Sequence, residues 1–180
     1  MKGFTREHTE FSLCGLNCLL CPMQVGGYCP GCGGGPGNQS CTLARCSMDK
    51  GGYNFCSQCP TYPCARYDEF DAADSFVPHS RRAADLDRAR ELGLDAYIGE
   101  LRAKRAILDK LLADYNDGRR KTFYCAAVYL LPMEDLQSVV ANLEGQPECS
   151  VKERAAAAVN LLQGSADDHG VCLKLKKKKG

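Results

Sequence analysis

Cysteine is the residue that most constrains this chain, because ten of its thirteen cysteines lie between residues 14 and 64. Their spacings run C-x3-C-x2-C, C-x2-C, C-x4-C and C-x2-C-x4-C, and short pairs of this kind let one tight turn present two sulfurs to one ion. Thiolates in such pairs bind zinc or iron–sulfur clusters. We predict that ten residues are metal ligands: Cys14, Cys18, Cys21, Cys29, Cys32, Cys41, Cys46, Cys56, Cys59 and Cys64.

The compartment decides whether such cysteines bind metal or form disulfides. The first residues, MKGFTREHTEF, lack the apolar core of a signal peptide, and no run approaches the roughly 20 apolar residues of a membrane helix. We therefore expect a cytoplasmic protein with no membrane partner, in which thiols stay reduced. A secreted disulfide scaffold is the alternative, and the paired C-x2-C spacings argue against it.

The same region is poor in aliphatic residues and rich in glycine and proline, so its own apolar core is small. Structural zinc can supply roughly 10–16 kcal/mol of apparent binding free energy in small peptides. That exceeds the few kcal/mol, on the order of 3–5, that a core of this size offers. Residues 11–66 are therefore predicted to be a small, irregular, metal-stabilised module that unfolds when its metal is removed.

Beyond this module the composition changes to that of helices. We predict a connector over residues 67–79, an all-α helical domain of four or five helices over 80–163, and a disordered basic tail over 164–180. The helical domain could pack against the module. No repeat other than the cysteine pairs is present.

Start and stop signals place the helices of this domain. Ser80 can cap a helix that runs to about Leu92, where Gly93 ends it. The next helix, from about Asp95 to Tyr115, has one apolar face, formed by Leu94, Tyr97, Leu101, Leu108, Leu111 and Tyr115.

Three further segments follow in the domain. Residues 121–131 are mostly apolar and fit a buried helix, with a strand as the alternative. Pro132 begins a helix that runs to about Leu143. Ser150 and Glu153 form a capping box for a last helix, which Gly164 is predicted to end.

Several blocks of the sequence resemble one known family, the DUF3795 family. The blocks are CGLNCLLCP at 14–22, YCPGC at 28–32, CTLARC at 41–46, CSQCPTYPC at 56–64, YNDGRRK at 115–121 and LLPMEDL at 130–136. The resemblance covers most of residues 11–145. It implies a cysteine-rich protein of a functionally uncharacterised bacterial and archaeal family whose members are presumed to bind zinc.

The choice of metal follows from ligand chemistry. Four thiolates bind one zinc ion tetrahedrally, so ten cysteines fill two such sites and leave two residues over. Two of the C-x2-C pairs, 29–32 and 56–59, could complete one site together, although the pairing does not follow from sequence. We predict two or more Zn²⁺ ions, with [4Fe-4S] clusters as the alternative because three Cys-Pro steps resemble ferredoxin loops.

The C-x3-C-x2-C spacing also resembles radical SAM enzymes, but 180 residues with few strand signals cannot build their barrel.

No nucleophile–base pair, paired carboxylates or phosphate loop is evident, so the chain is predicted to be noncatalytic, a zinc-binding protein that contacts a protein partner. A redox or electron-transfer protein with iron–sulfur clusters is the second hypothesis. The third is a nucleic-acid-binding zinc module, although the formal net charge is only +1. Its basic surface would combine Arg102, Lys104 and Arg105, the run Arg119–Lys121, and the lysines of residues 174–179.

The remaining cysteines and the histidines are not expected to be ligands or catalysts. Cys125 lies in an apolar segment and is predicted to be a small buried side chain. Cys149 and Cys172 are isolated. The three histidines, His8, His79 and His169, are predicted to lie at the surface.

Overall fold

The computed structural model describes residues 3–35 and 41–178, and over these residues the chain is mostly helical, with eight α-helices and no strand. Residues 36–40 of the cysteine-rich region and Lys179 of the tail lie outside the described part. The helices are α1 Pro22–Val25, α2 Thr42–Asp49, α3 Arg66–Phe70, α4 Arg82–Leu92, α5 Leu94–Asp114, α6 Lys121–Leu130, α7 Met133–Glu144 and α8 Val151–Asp168. None of them has both the length and the unbroken apolar composition that crossing a bilayer would require.

The helical region agrees closely with its predicted elements. Helix α4 ends at Gly93, whose φ of +85° is a backbone conformation that glycine adopts more readily than other residues. Its first helical residue is Arg82, and Ser80 does not cap it. Helix α5 buries its predicted apolar face, at positions that include Leu101, Leu108 and Leu111. The all-α prediction for this part of the chain is therefore confirmed.

Helix α6 settles the choice between helix and strand for the apolar segment. Seven successive residues of α6, from Tyr124 to Leu130, are buried, and Cys125 is among them as predicted. A helix buried on all sides needs neighbours all round. Those neighbours are α5, α8 and the short α1, so α6 lies at the centre of the largest apolar cluster.

Helix α8 does not end at Gly164, which corrects the predicted boundary. It continues to Asp168, and Gly170 with φ +62° ends it. The N–H of Gly170 donates to Asp167 O (3.1 Å), and the N–H of Val171 donates to Ala166 O (2.8 Å), which together form a Schellman motif. Both glycines fit the sequence signal for a helix end, but it is Gly170 and its neighbour Val171 that make the hydrogen bonds of the Schellman motif.

The basic tail also differs from its prediction as a disordered end. Leu173 is buried in the main apolar cluster. Farther along, the backbone N–H of Asp74 donates to the Lys176 carbonyl oxygen (2.8 Å). The Lys176 N–H in turn donates to the Asp74 carboxylate (2.6 Å). The tail therefore lies along residues 67–79, the segment predicted as a connector.

That segment carries a second correction, because His79 is buried and not at the surface. Its ring stacks on Phe70 with centroids 4.5 Å apart, and Nδ1 is 2.9 Å from the Phe70 carbonyl oxygen. The backbone N–H of Ser75 donates to Nε2 (3.1 Å), which assigns the proton of the neutral ring to Nδ1. His169, in contrast, is exposed as predicted and contacts Asp135.

The cysteine-rich region packs directly on the helical region. Phe11 is fully buried in a cluster with Leu86 and Leu101, and Leu20 is fully buried in the core around α6. Gly15 makes this approach close, because a Cβ atom there would lie 2.4 Å from the carbonyl oxygen of Arg82. The few aliphatic residues of the region therefore gain burial from α4–α6 as well as from one another.

Candidate metal centre

All thirteen cysteines lie in the described part of the chain, and none of them is bridged to another. The ten predicted ligands are mostly half-buried, with Cys14 buried and Cys41 exposed. Cys149 and Cys172 are exposed and lie outside the cysteine-rich region, as their isolation in the sequence suggests.

Four of the ten cysteines surround one small cavity of about 30 Å³. We call them the cavity cysteines: Cys46, Cys56, Cys59 and Cys64. Leu13, Leu43 and Tyr67 complete much of the wall. A space of this size holds a single water or ion and no organic ligand.

Local structure explains how this group forms. Cys46 projects from helix α2, and Cys64 lies just before α3. Between them, Cys56 begins a 3-10 turn in which the N–H of Cys59 donates to Cys56 O at 3.0 Å. The C-x2-C pair thus adopts the tight turn that its spacing predicts. Helix α2, which the sequence analysis did not anticipate, supplies the third sulfur.

The electrostatics of the cavity cysteines favour a cation. Burial raises the pKa of Cys56 above its usual value, the Tyr67 hydroxyl opposes this shift, and the nearby thiols of Cys64, Cys46 and Cys41 add to it. The more exposed Cys59 shows the opposite shift, since hydrogen bonds from the side chain and backbone of Thr61 lower its pKa. The Cys59 Sγ and Thr61 Oγ1 atoms are 3.2 Å apart.

Tyr67 places an unsatisfied donor beside these sulfurs. Its side chain is 4 % exposed, and its hydroxyl has no hydrogen-bond partner of normal geometry among the described residues. Burial raises its pKa above the usual value, and the adjacent sulfurs of Cys56 and Cys14 add to this shift. A buried phenol beside two sulfurs can donate to a thiolate, as residues outside the coordination shell of metal sites commonly do.

A second group of four thiols ranges from the buried Cys14 to the exposed Cys41, and we call them the inner cysteines: Cys14, Cys18, Cys32 and Cys41. Burial raises the pKa of Cys14 to about 12, with Cys32 and Cys41 adding to the shift and the Ser12 hydroxyl, 3.1 Å from Sγ, opposing it. Burial also raises the pKa of Cys18, and Cys32, Cys14 and Cys21 add to that shift. The interactions that shift the pKa values of Cys14, Cys18 and Cys32 thus connect all four inner cysteines.

The last two predicted ligands, Cys21 and Cys29, are neighbours of each other. The pKa of Cys21 is raised by burial and, to a smaller extent, by Cys29. Cys21 also adds to the raised pKa of the buried Cys125 on α6, where burial is the main cause. The cavity is lined by the 56–59 pair and not by the 29–32 pair, so a site shared by these two pairs stays a prediction.

No group of three or more Cys, His, Asp or Glu side chains within residues 3–35 and 41–178 has its donor atoms gathered closely enough to hold a metal ion. The cavity cysteines and inner cysteines are thus neighbouring thiols and not assembled coordination spheres. Their donor chemistry fits a soft divalent ion, and the uncompensated Tyr67 hydroxyl fits a nearby thiolate.

Three cations of the predicted basic surface, all on α5, have partners within the chain. Arg102 pairs with Glu10 (3.0 Å), and Arg105 pairs with Asp109 (2.7 Å) while donating to Leu19 O (2.9 Å). Lys104 donates to two backbone carbonyls. Lys104 and Arg105 therefore connect α5 to other segments of the fold, whereas Arg102 stays exposed at the surface.

The contacts around the sulfurs include residues that sequence reasoning did not single out. Ser12, Thr61 and Tyr67 each contact or adjoin a sulfur. Their positions two or three residues from a cysteine are the only sequence signal, and many other residues share it.

Comparison with known proteins gives no further guide to the site. No protein-family model matches the chain, and no curated protein or solved structure is similar to it. The resemblance to the DUF3795 family therefore stays a prediction from the cysteine blocks.

Proposed function

We propose that this chain is a noncatalytic metal-binding protein whose cysteine-rich region holds zinc at structural thiolate sites. The observation that carries the proposal is the position of four cysteines, two of them from a C-x2-C turn, around one ion-sized cavity. The DUF3795 resemblance and a reducing, cytoplasmic setting belong to the same proposal.

The energetics of the buried thiols support a bound cation. Burial and neighbouring thiols raise the pKa values of Cys14, Cys18 and Cys56, which favours the protonated form of these three thiols in the absence of a positive partner. A divalent ion reverses both effects, because zinc binds the deprotonated sulfur and releases the proton. Clusters of thiols that repel one another as thiolates are therefore well suited to a shared metal.

The inner cysteines are the proposed second site. They bring together residues from the C-x3-C pair, the 29–32 pair and the start of α2. A site built this way would join the first segment of the chain to α2 across residues 36–40. Cys21 and Cys29 then remain outside the two sets of four.

A zinc ion that holds four thiolates has no open position for water, so hydrolytic chemistry is not expected at either site. The proposed role is instead to shape a surface that a protein partner binds. Four-thiolate sets also suit [4Fe-4S] clusters, and this alternative is distinguished by metal content and colour.

Anaerobic purification followed by elemental analysis tests the proposal. We expect a colourless protein with two zinc ions per chain, and Cys64→Ser and Cys18→Ser each to lose one of them. Cys149→Ser is the matched control and should keep both. A brown protein with stoichiometric iron and sulfide would favour iron–sulfur clusters over zinc. A metal-free protein with thirteen reactive thiols would contradict the proposal.

The nucleic-acid alternative has its own test. If the chain binds DNA or RNA through its basic residues, affinity should fall steeply with salt and with removal of the tail lysines. We expect no binding at low salt, since the helix cations already have partners.

A further inference from the structure

A second cavity, of about 370 Å³, lies in the helical region away from the cysteines. Helix α4 contributes Arg81 at its N-cap and Asp85, α5 contributes Tyr97 and Lys104, and α6 contributes Tyr129. Glu134 of α7 lies at the same cavity. It is large enough for a small organic molecule, and it is lined by titratable groups from four helices.

The base of this cavity is a buried polar network. Asp85 is 4 % exposed and accepts a hydrogen bond of 2.6 Å from the Tyr129 hydroxyl. Burial raises the pKa of Asp85, while Tyr129, Arg81, Tyr97 and Lys104 oppose that shift. The carboxylate is thus held by several donors, and its position is set by α4, α5 and α6 together.

Lys104 is the unusual member of the group. Its Nζ donates to Leu131 O (2.6 Å) and Tyr129 O (3.1 Å), at the C-terminal end of α6. A lysine that only caps a helix is ordinarily solvated. Lys104 is half-buried, and burial together with Arg81 lowers its pKa to about 8.

The two hydrogen bonds to carbonyl oxygens use two of the three positions around the Lys104 nitrogen, and one position remains. When Lys104 is neutral, both hydrogens can remain on the carbonyls, and the lone pair then takes the remaining position. With a pKa of about 8, about one molecule in ten carries the neutral amine at pH 7, roughly two orders of magnitude more than for an ordinary lysine. An amine of this kind is a nucleophile toward carbonyl groups.

Arg81 supplies the second recognition element. Its side chain is 46 % exposed, and among the described residues its contacts use Nε, 3.8 Å from Asp85 Oδ1, and Nη1, 3.4 Å from Leu130 O. Nη2 is left for a carboxylate, which guanidinium groups bind well. Arg88, also at the cavity, differs because Glu100 already holds it through two bonds of 2.8 and 2.5 Å.

We propose that this cavity binds small aldehydes or ketones that carry a carboxylate, with Lys104 forming an imine and Arg81 holding the carboxylate. In the reaction, Nζ attacks the carbonyl carbon and forms the C–N bond. The resulting carbinolamine loses its oxygen and two protons as one water molecule and leaves a C=N bond. No oxidant or reductant is required, and the site is independent of the metal centre.

Reductive trapping tests this site on the full chain as purified. Glyoxylate with cyanoborohydride at pH 8 converts an imine into a stable adduct that peptide mass spectrometry locates. We expect Lys104 to be modified about tenfold faster than the exposed Lys152 and Lys177. Modification of Lys104 at or below the rate of these two lysines would overturn the proposal.

The pH profile and two matched variants make the test specific. The charged groups that face Lys104 are Arg81, which lowers its pKa, and Asp85, Glu100 and Glu134, which raise it. Arg81→Gln should therefore move the labelling midpoint to higher pH, and Glu134→Gln should move it to lower pH. Arg81→Gln should also abolish the preference for glyoxylate over the neutral glycolaldehyde, and an unchanged preference would exclude Arg81 as the carboxylate partner.

Discussion

The cysteine-rich region and the helical region are both ordered by packing, but they differ in how many apolar residues they bury. In the helical region, α6 alone buries seven successive residues, and α5, α7 and α8 contribute residues to the same core. In the cysteine-rich region, the buried apolar residues are few and are partly shared with α4 and α5, and partly buried cysteines pack against them. The small apolar core of the first region therefore depends on packing against its neighbour, and the proposed metal would add to this stability.

The largest expected difference between the two regions is their response to metal removal. Chelation under reducing conditions should unfold residues 41–66, because structural zinc contributes roughly 10–16 kcal/mol in small zinc modules. Helices α5–α8 should keep their structure. Hydrogen exchange measured with and without chelator separates the two, and equal protection of residues 41–66 in both samples would contradict the dependence on metal.

The contact between the cysteine-rich region and α4 should be the next most sensitive to a change, in this case to a substitution at Gly15. Gly15→Ala is expected to lower the free energy of unfolding by about 3 kcal/mol, because Gly15 has φ +91° and a new Cβ would meet Arg82 O and Leu86. Gly27→Ala is the control, since Gly27 has φ +73° with open space around it, and should cost only about 1 kcal/mol. Urea denaturation compares them, and equal losses would mean that the close approach is unimportant.

The segment between the regions contributes Asp71 to an ion pair with Arg82. Breaking this pair should lower the free energy of unfolding more than breaking an ion pair at the surface. Arg82 is 5 % exposed, makes a bidentate contact to Asp71 and stacks 3.8 Å from the Tyr67 ring. Asp71→Asn should therefore cost about 2 kcal/mol, because it removes the charge partner of a buried guanidinium.

The matched control is Asp87→Asn, which breaks the exposed pair with Arg90 (2.9 Å) and should change stability by less than about 0.5 kcal/mol. Thermal unfolding of both variants provides the comparison. A loss for Asp71→Asn no greater than that for Asp87→Asn would show that the pair is fully screened by solvent.

Within the helical region, the capping box of α8 should have a moderate effect. The Ser150 hydroxyl accepts from the Glu153 N–H (3.3 Å), and the Glu153 carboxylate accepts from the Ser150 N–H (2.9 Å). Ser150→Ala should cost about 1 kcal/mol. Ser138→Ala, at an exposed position inside α7, serves as the control and should be close to neutral in the same denaturation assay.

The smallest expected effect is a gain. Gly164 lies inside α8 with open space around it, so Gly164→Ala should raise the free energy of unfolding by about 0.5–1 kcal/mol. Gly170→Ala should lower it by about 1 kcal/mol, because Gly170 has φ +62°. A loss of stability in the Gly164 variant would mean that α8 does end at that residue in solution.

Local signals in the sequence predicted most of the helical region. The apolar spacing of α5, the stop at Gly93 and the capping box at Ser150 are each determined within a few residues, so they could be recognised without knowledge of the fold. Gly164 and Gly170 show the limit of this approach. Both are suitable helix ends, and the choice depended on hydrogen bonds that only the folded chain reveals.

The cysteine-rich region was predicted less completely because its interactions connect distant residues. Spacing identified the ten cysteines and the tight turn at Cys56, but not helix α2 or the division of the thiols into cavity and inner groups. Likewise, nothing near His79 in the sequence indicated that Phe70 and Ser75 would enclose it.

What the amino-acid sequence determined by itself is the chemistry: ten clustered thiols, the absence of a large apolar core around them, and the periodicity that makes the rest helical. The tertiary structure decided which thiols are neighbours, which of two glycines ends α8, and that Lys104 and Arg81 meet at one cavity. The physical reason is that helix formation and turn geometry act over three or four residues, whereas burial and the proximity of charges depend on contacts between residues far apart in the chain.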